Sequence, residues 1–141
     1  MRKSYINFQR NISNVLKLPY CKFMRKDRYS FSIEISIRDG RYVLRLDYRE
    51  KEYPEVYLVS PEISVDNWVE IHTYGKLYHY DYKKKIPKLC LTHHDTDKWD
   101  SSVPLVESYI PWAIEWTEFY ELWLLTGKWY GKGIHINNKE E

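Results

Sequence analysis

From Tyr29 onward the sequence alternates with a period of two: Phe31, Ile33, Ile35 and Ile37 are separated by Ser32, Glu34 and Ser36. Asp39-Gly40 interrupts the alternation with turn-forming residues, and Tyr42, Leu44 and Leu46 resume it. This pattern predicts an antiparallel hairpin with one apolar face. Such a face is stable only under a second layer, so the rest of the chain has to supply a cover.

Helical spacing before and after the hairpin meets that need. Tyr5, Phe8, Ile12, Val15 and Leu16 recur at intervals of three and four, predicting a helix over Tyr5 to Leu16 that ends before Pro19. A third strand is expected at Val56 to Val59, confined by Pro54 and Pro61. Residues 62–88 show no sustained period beyond a short candidate strand at residues 68–71, so this stretch is read as a long, largely irregular segment.

After Trp99 the spacing turns helical again. Ser101 or Ser102 is a candidate N-cap, Pro104 fits a first turn, and Pro111 is expected to break the run at about Tyr109. A second helix, or a kinked continuation of the first, is expected from Pro111 to Leu125, closed by Gly127 and carrying Trp112, Trp116, Phe119, Tyr120 and Trp123 for packing on the sheet. The fold class expected is α+β: an N-terminal helix, an antiparallel meander of three to four strands, an irregular loop and C-terminal helices.

At 141 residues the chain is read as a single domain, 1–141, and 14 Tyr with 6 Trp point to a core of few, large rings. Twenty-two basic and 20 acidic side chains leave a net charge of +2, too small for a general attraction to nucleic acid or anionic lipid. The sequence has no secretory leader and no apolar run of spanning length, so a cytoplasmic protein with two separate thiols, Cys21 and Cys90, is expected.

Cys90 carries the chemistry-bearing signal. Lys83, Lys84, Lys85 and Lys88 precede it closely and favour a thiolate, while His93 and His94 follow at three and four residues and can relay a proton. His79-Tyr80-Asp81 begins 11 positions upstream, and Trp99 stands nine positions downstream. This frame resembles the active-site segment of ubiquitin-conjugating (UBC) enzymes, in which a His-Pro-Asn tripeptide precedes the thioester-forming cysteine and a tryptophan follows it. Tyr53-Pro54-Glu55-Val56-Tyr57-Leu58 is similar to the strand before that region.

Pro111-Trp112-Ala113-Ile114-Glu115-Trp116 and the segment from Trp123 to His135 resemble more closely the bacterial UBC-like proteins of CBASS anti-phage operons, in their stand-alone form. The resemblance implies a UBC-like fold, acyl transfer through Cys90, and no cofactor on this chain. It further implies a cGAS-like nucleotidyltransferase as partner, through its C-terminal tail, and a separate activating enzyme wherever a free carboxylate is the acyl source. Catalytic positions carried over are Cys90, His79 and Asp81, with His93 and His94 as proton carriers. Asp81 stands where relatives have an amide that can donate to an oxyanion; a carboxylate only accepts. The options are a protonated Asp81, a different role such as orienting a histidine or an incoming lysine amine, or another donor such as a backbone N–H.

Two other classes compete. Cys90, His93, His94, Asp95 and Asp97, with His72, His79 and His135, could form a metal site, although their spacing fits no standard zinc pattern. A UBC fold without working chemistry would be a binding module. Tyr78, Tyr80 and Tyr82 interleaved with lysines could stack single-stranded nucleic acid, but one short cluster on a near-neutral chain reads as a solvated face.

Overall fold

The computed structural model describes residues 2–63, 78–89, 91 and 99–129. Helix α1, Lys3–Leu16, is followed by strands β1 (Cys21–Asp27), β2 (Ser30–Ile37), β3 (Tyr42–Arg49) and β4 (Glu55–Ser60). A second hairpin, β5 (Tyr78–Asp81) and β6 (Ile86–Leu89), precedes a 3-10 turn at Leu105–Glu107 and helix α2, Tyr109–Thr126. The six strands form one antiparallel sheet in the order β1-β2-β3-β4-β6-β5.

The alternation that predicts the β2–β3 hairpin is the alternation that builds the core. Ile33 lies opposite Leu46 and Ile35 opposite Leu44, all of them buried. On the same side α1 contributes Phe8, Ile12 and Val15, and α2 contributes Ile110, Ala113, Trp116, Tyr120 and Trp123. The cover is thus a single layer of helices. Arg38 and Arg41 of the hairpin turn pair with Glu118 (3.1 Å) and Glu121 (2.8 Å) of α2, and the rings of Tyr42 and Tyr120 meet edge to face.

Four points of the sequence reading are corrected. Strand β1 is absent from the sequence reading because it is an edge strand with only Cys21 and Phe23 half-buried, so its apolar period is too short to register. The segment expected to be irregular contains the β5–β6 hairpin over 78–89, while residues 68–71 lie outside the described residues. Pro111 does not break a helix: α2 starts at Tyr109, so Pro111 sits in its first turn, where backbone N–H groups have no intrahelical partner to lose. Residues 100–108 form turns instead of a helix, with Asp100, not a serine, accepting the Ser102 N–H at 2.7 Å. Gly127 closes α2 as expected, at φ 75° with its N–H on the Trp123 carbonyl.

These turns are tied to α1 by buried amides. Asn11 Oδ1 accepts the Leu105 N–H at 2.8 Å, its Nδ2 donates to the Asn7 carbonyl, and Asn7 Nδ2 donates to Ser101 Oγ. Trp99 Nε1 donates to Ser108 Oγ at 3.0 Å, and its ring stands edge-on against Tyr48 and Tyr109. Trp99→Ala is expected to cost about 3–5 kcal/mol in urea unfolding. Asn11→Leu, which leaves the buried Leu105 N–H unpaired, is expected to cost about 1–3 kcal/mol.

The start of α1 is fixed by charge. Glu50, almost fully buried, accepts both Arg2 Nη2 (2.6 Å) and Nε (3.2 Å) as well as the Ser4 hydroxyl. The Arg2 bonds, then the Ser4 bond, hold the Glu50 carboxyl below its ordinary pKa. Its contribution to stability is therefore complete above the unfolded carboxyl pKa and is lost as pH falls through the lower, folded one. Glu50→Gln is expected to lower the thermal midpoint at pH 7 and to weaken its fall between pH 5 and 3, read by circular dichroism.

Candidate active-site hairpin

Strand β6 binds the hairpin to the rest of the sheet, with Lys88 opposite Tyr57 of β4 on one side and opposite His79 of β5 on the other. Leu89 closes the strand and is buried, and Leu91 packs partly buried against the core. The backbone of His79 is thus fixed in β5. Cys90, His93 and His94 lie outside the described residues, as do His72, Asp95, Asp97 and His135 of the metal alternative. Among the described residues no group of three or more His, Cys, Asp or Glu could hold a metal.

Asp81 ends β5 and organises the turn. Its Oδ1 accepts the backbone N–H groups of Lys84 (2.9 Å) and Lys83 (3.0 Å), and its carbonyl accepts the Lys85 N–H. The Lys84 N–H, helped by that of Lys83 and by the Lys84 and Lys88 charges, holds the carboxyl below its ordinary pKa. Asp81 is ionised at neutral pH and its accepting capacity is directed at the turn. Lys85 adopts φ 60°, the left-handed region, to complete the reversal.

The lysines near Cys90 in sequence are differently employed. Lys88 Nζ pairs with Glu55 Oε2 at 2.9 Å. Lys84 turns back, 3.8 Å from Asp81 and over the face of Tyr57 at 5.0 Å. Lys83 and Lys85 are exposed and make no ion pair among the described residues. Tyr57, 1% exposed, donates to Glu55 Oε1 at 3.1 Å; burial, then the Glu55 charge, pushes its hydroxyl pKa up, so it stays protonated.

Glu55 and Tyr57 hold this corner together, yet the sequence suggested neither as a site residue. The available signal was an acid at the start of a strand bounded by prolines, facing a basic stretch, which has no partner until the strand order is known. A depression of about 200 Å³ on the outward sheet face also reaches Glu55, among Lys26, Ser32, Asp47, Arg49 and Glu52.

Cys21 serves as an internal contrast. It is half-buried at the start of β1, and burial pushes its thiol up to about 11, so almost none of it is thiolate at neutral pH. Iodoacetamide at pH 7.5 is expected to leave Cys21 unmodified in the folded protein and to modify it in urea, as read by peptide mass mapping. Asp81→Ala is expected to speed hydrogen exchange at the Lys83 and Lys84 amides, and in the unaltered protein the same protection is expected to be lost as pH falls through the lowered Asp81 pKa.

The family model described as Type II CBASS E2 protein matches residues 9–136, a span that takes in the second half of α1, the whole sheet, the His79-to-Trp99 frame and α2. No curated protein matches the chain.

Proposed function

The chain belongs to the type II CBASS E2 proteins, and from that membership we propose that it works in anti-phage defence as a cysteine acyl carrier, with Cys90 forming a thioester to the C-terminal carboxyl of a partner protein. The carrying observation is that the family match runs through the entire His79–Cys90–Trp99 frame. No helix among the described residues is long and apolar enough to cross a membrane.

In the proposed reaction the Cys90 thiolate attacks the acyl carbon, and the group that activated it departs with the bonding pair. If that group is adenylate, a separate activating enzyme and ATP supply it; if it is an amine, the attack is protease-like and His93 or His94 delivers a proton to the amine. Transfer then moves the acyl group from sulfur to an amine or thiol. The partner we propose is the cGAS-like nucleotidyltransferase that the resemblance implies.

Asp81 acts in this scheme through the turn it holds. Ionised and engaged by two backbone N–H groups, it fixes the hairpin that leads to Leu89, and an oxyanion needs a different donor. Lys88, neutralised by Glu55, lends little positive charge to a nearby thiolate.

The test co-expresses the chain with the neighbouring nucleotidyltransferase and examines the products on a non-reducing gel. A thiol-sensitive adduct is expected, replaced in Cys90→Ser by a hydroxylamine-sensitive oxyester and abolished in Cys90→Ala. Adduct formation and phage protection unchanged in Cys90→Ala would sink the proposal, and stoichiometric zinc in the purified protein that is lost in Cys90→Ala would favour the metal reading.

A further inference from the structure

We infer that the β5–β6 turn is a recognition tip for an acidic stretch in the tail of the acyl-donor protein, an inference that rests on the function proposed above. The turn is pre-organised. Asp81 holds three of its backbone N–H groups, Lys84 is folded back on Asp81 and Tyr57, and Lys85 keeps a left-handed backbone that a residue with a Cβ adopts reluctantly. This leaves Lys83 and Lys85 projecting without an ion pair among the described residues. Beside them is Tyr82, 65% exposed, its ring against that of Tyr80 at 5.0 Å.

A rigid tip with two uncommitted ammonium groups and one open ring suits a short acidic segment, because little ordering cost remains to be met on binding. Its place in the sheet specifies the segment further. Among the described residues β5 is the last strand, with no strand paired to its outer edge, which is where an added strand would lie. From Lys85 to Leu89 the chain advances four residues, roughly 13 Å at strand pitch. An extended tail beside β5 advances at the same pitch. With its terminal carboxyl at the Leu89 end, its residues four and five from the C-terminus lie at the tip, and acids there meet Lys83 and Lys85. Two ammonium groups above an ionised Asp81 make a poor track for a phosphate backbone, which calls for a longer row of bases.

The experiment uses the full chain with Cys90→Ala, so that binding is non-covalent. Fluorescence anisotropy at low salt follows a labelled twelve-residue peptide with a free C-terminal carboxylate and glutamates at the fourth and fifth positions from its end. Lys83→Glu with Lys85→Glu is expected to weaken binding about tenfold or more. Lys83→Gln with Lys85→Gln, a milder pair that preserves folding by circular dichroism, is expected to weaken it about threefold or more. Reversing two remote bases of α1, Lys3→Glu with Lys17→Glu, is expected to change it less than twofold. Moving the glutamates to the ninth and tenth positions is expected to lose the same factor as reversing the tip.

Absence of measurable binding at 1 mM protein overturns the inference, as does an unchanged Kd on tip reversal or an equal loss from the α1 variant. Tighter, tip-dependent binding of a twelve-residue oligothymidine also overturns it, in favour of nucleic acid. Since Cys90 is absent from this assay, the tip and the thioester chemistry fail or succeed separately.

Discussion

Two asparagine side chains on α1 do for this fold what a further helix does in a larger one. The segment from Trp99 to Ser108 has little regular structure, yet it buries Trp99, Leu105 and Ser108, and the polar groups that go in with them have to be satisfied there. Asn11 provides the acceptor for Leu105 and Asn7 reaches Ser101, while Trp99 and Ser108 bond to one another. Each of these partners lies some 90 residues from the helix that holds it, except the last pair. The segment is therefore ordered by these long-range bonds together with local turns, in which Asp100 accepts the Ser102 and Val103 N–H groups. Its position sets the start of α2, and the exit of the chain from the region around Cys90 is anchored at Trp99.

What could be read from the sequence divides along the same line. The β2–β3 hairpin, α1, β4 between its prolines and the Gly127 cap were legible because each rests on a local rule: period, turn chemistry or proline geometry. Strand β1 escaped because an edge strand exposed on most of its length carries no apolar period. The β5–β6 hairpin escaped because its four-residue strands contain Pro87, Lys88, His79 and Asp81, and their pairing is decided by the neighbouring β4. Pro111 was misread as a break because the helix start was placed by sequence pattern, whereas the bonds to α1 postpone that start to Tyr109.

At the candidate site the sequence offered a positional frame by resemblance, in which Asp81 aligns with an amide-bearing residue, and it hid the charge pairing. The occupation of Asp81 by the Lys83 and Lys84 N–H groups follows from the turn, which the sequence did not announce. Likewise, four lysines ahead of Cys90 read as one positive field. The fold resolves them into a neutralised pair at Lys88, a cation stacked on Tyr57 at Lys84, and two groups, Lys83 and Lys85, that make no ion pair among the described residues.

That division separates two demands on one short hairpin. Strand β6 has to be rigid where it delivers the chain to Leu89, and the Glu55–Lys88 pair beside the buried Tyr57 supplies rigidity at the side of β4. An ion pair this exposed adds little stability by itself, but the protonated, buried Tyr57 hydroxyl orients Glu55 and limits the geometries Lys88 can take. The tip faces the opposite demand, since charge that is to be recognised cannot be spent internally. Asp81 reconciles the two by working through the backbone: it stabilises the turn with peptide N–H groups, so the side chains of Lys83 and Lys85 stay available. An asparagine at position 81 could accept the same two bonds but would bring no negative charge to hold Lys84 back against Tyr57, and the tip would present three competing cations instead of two ordered ones.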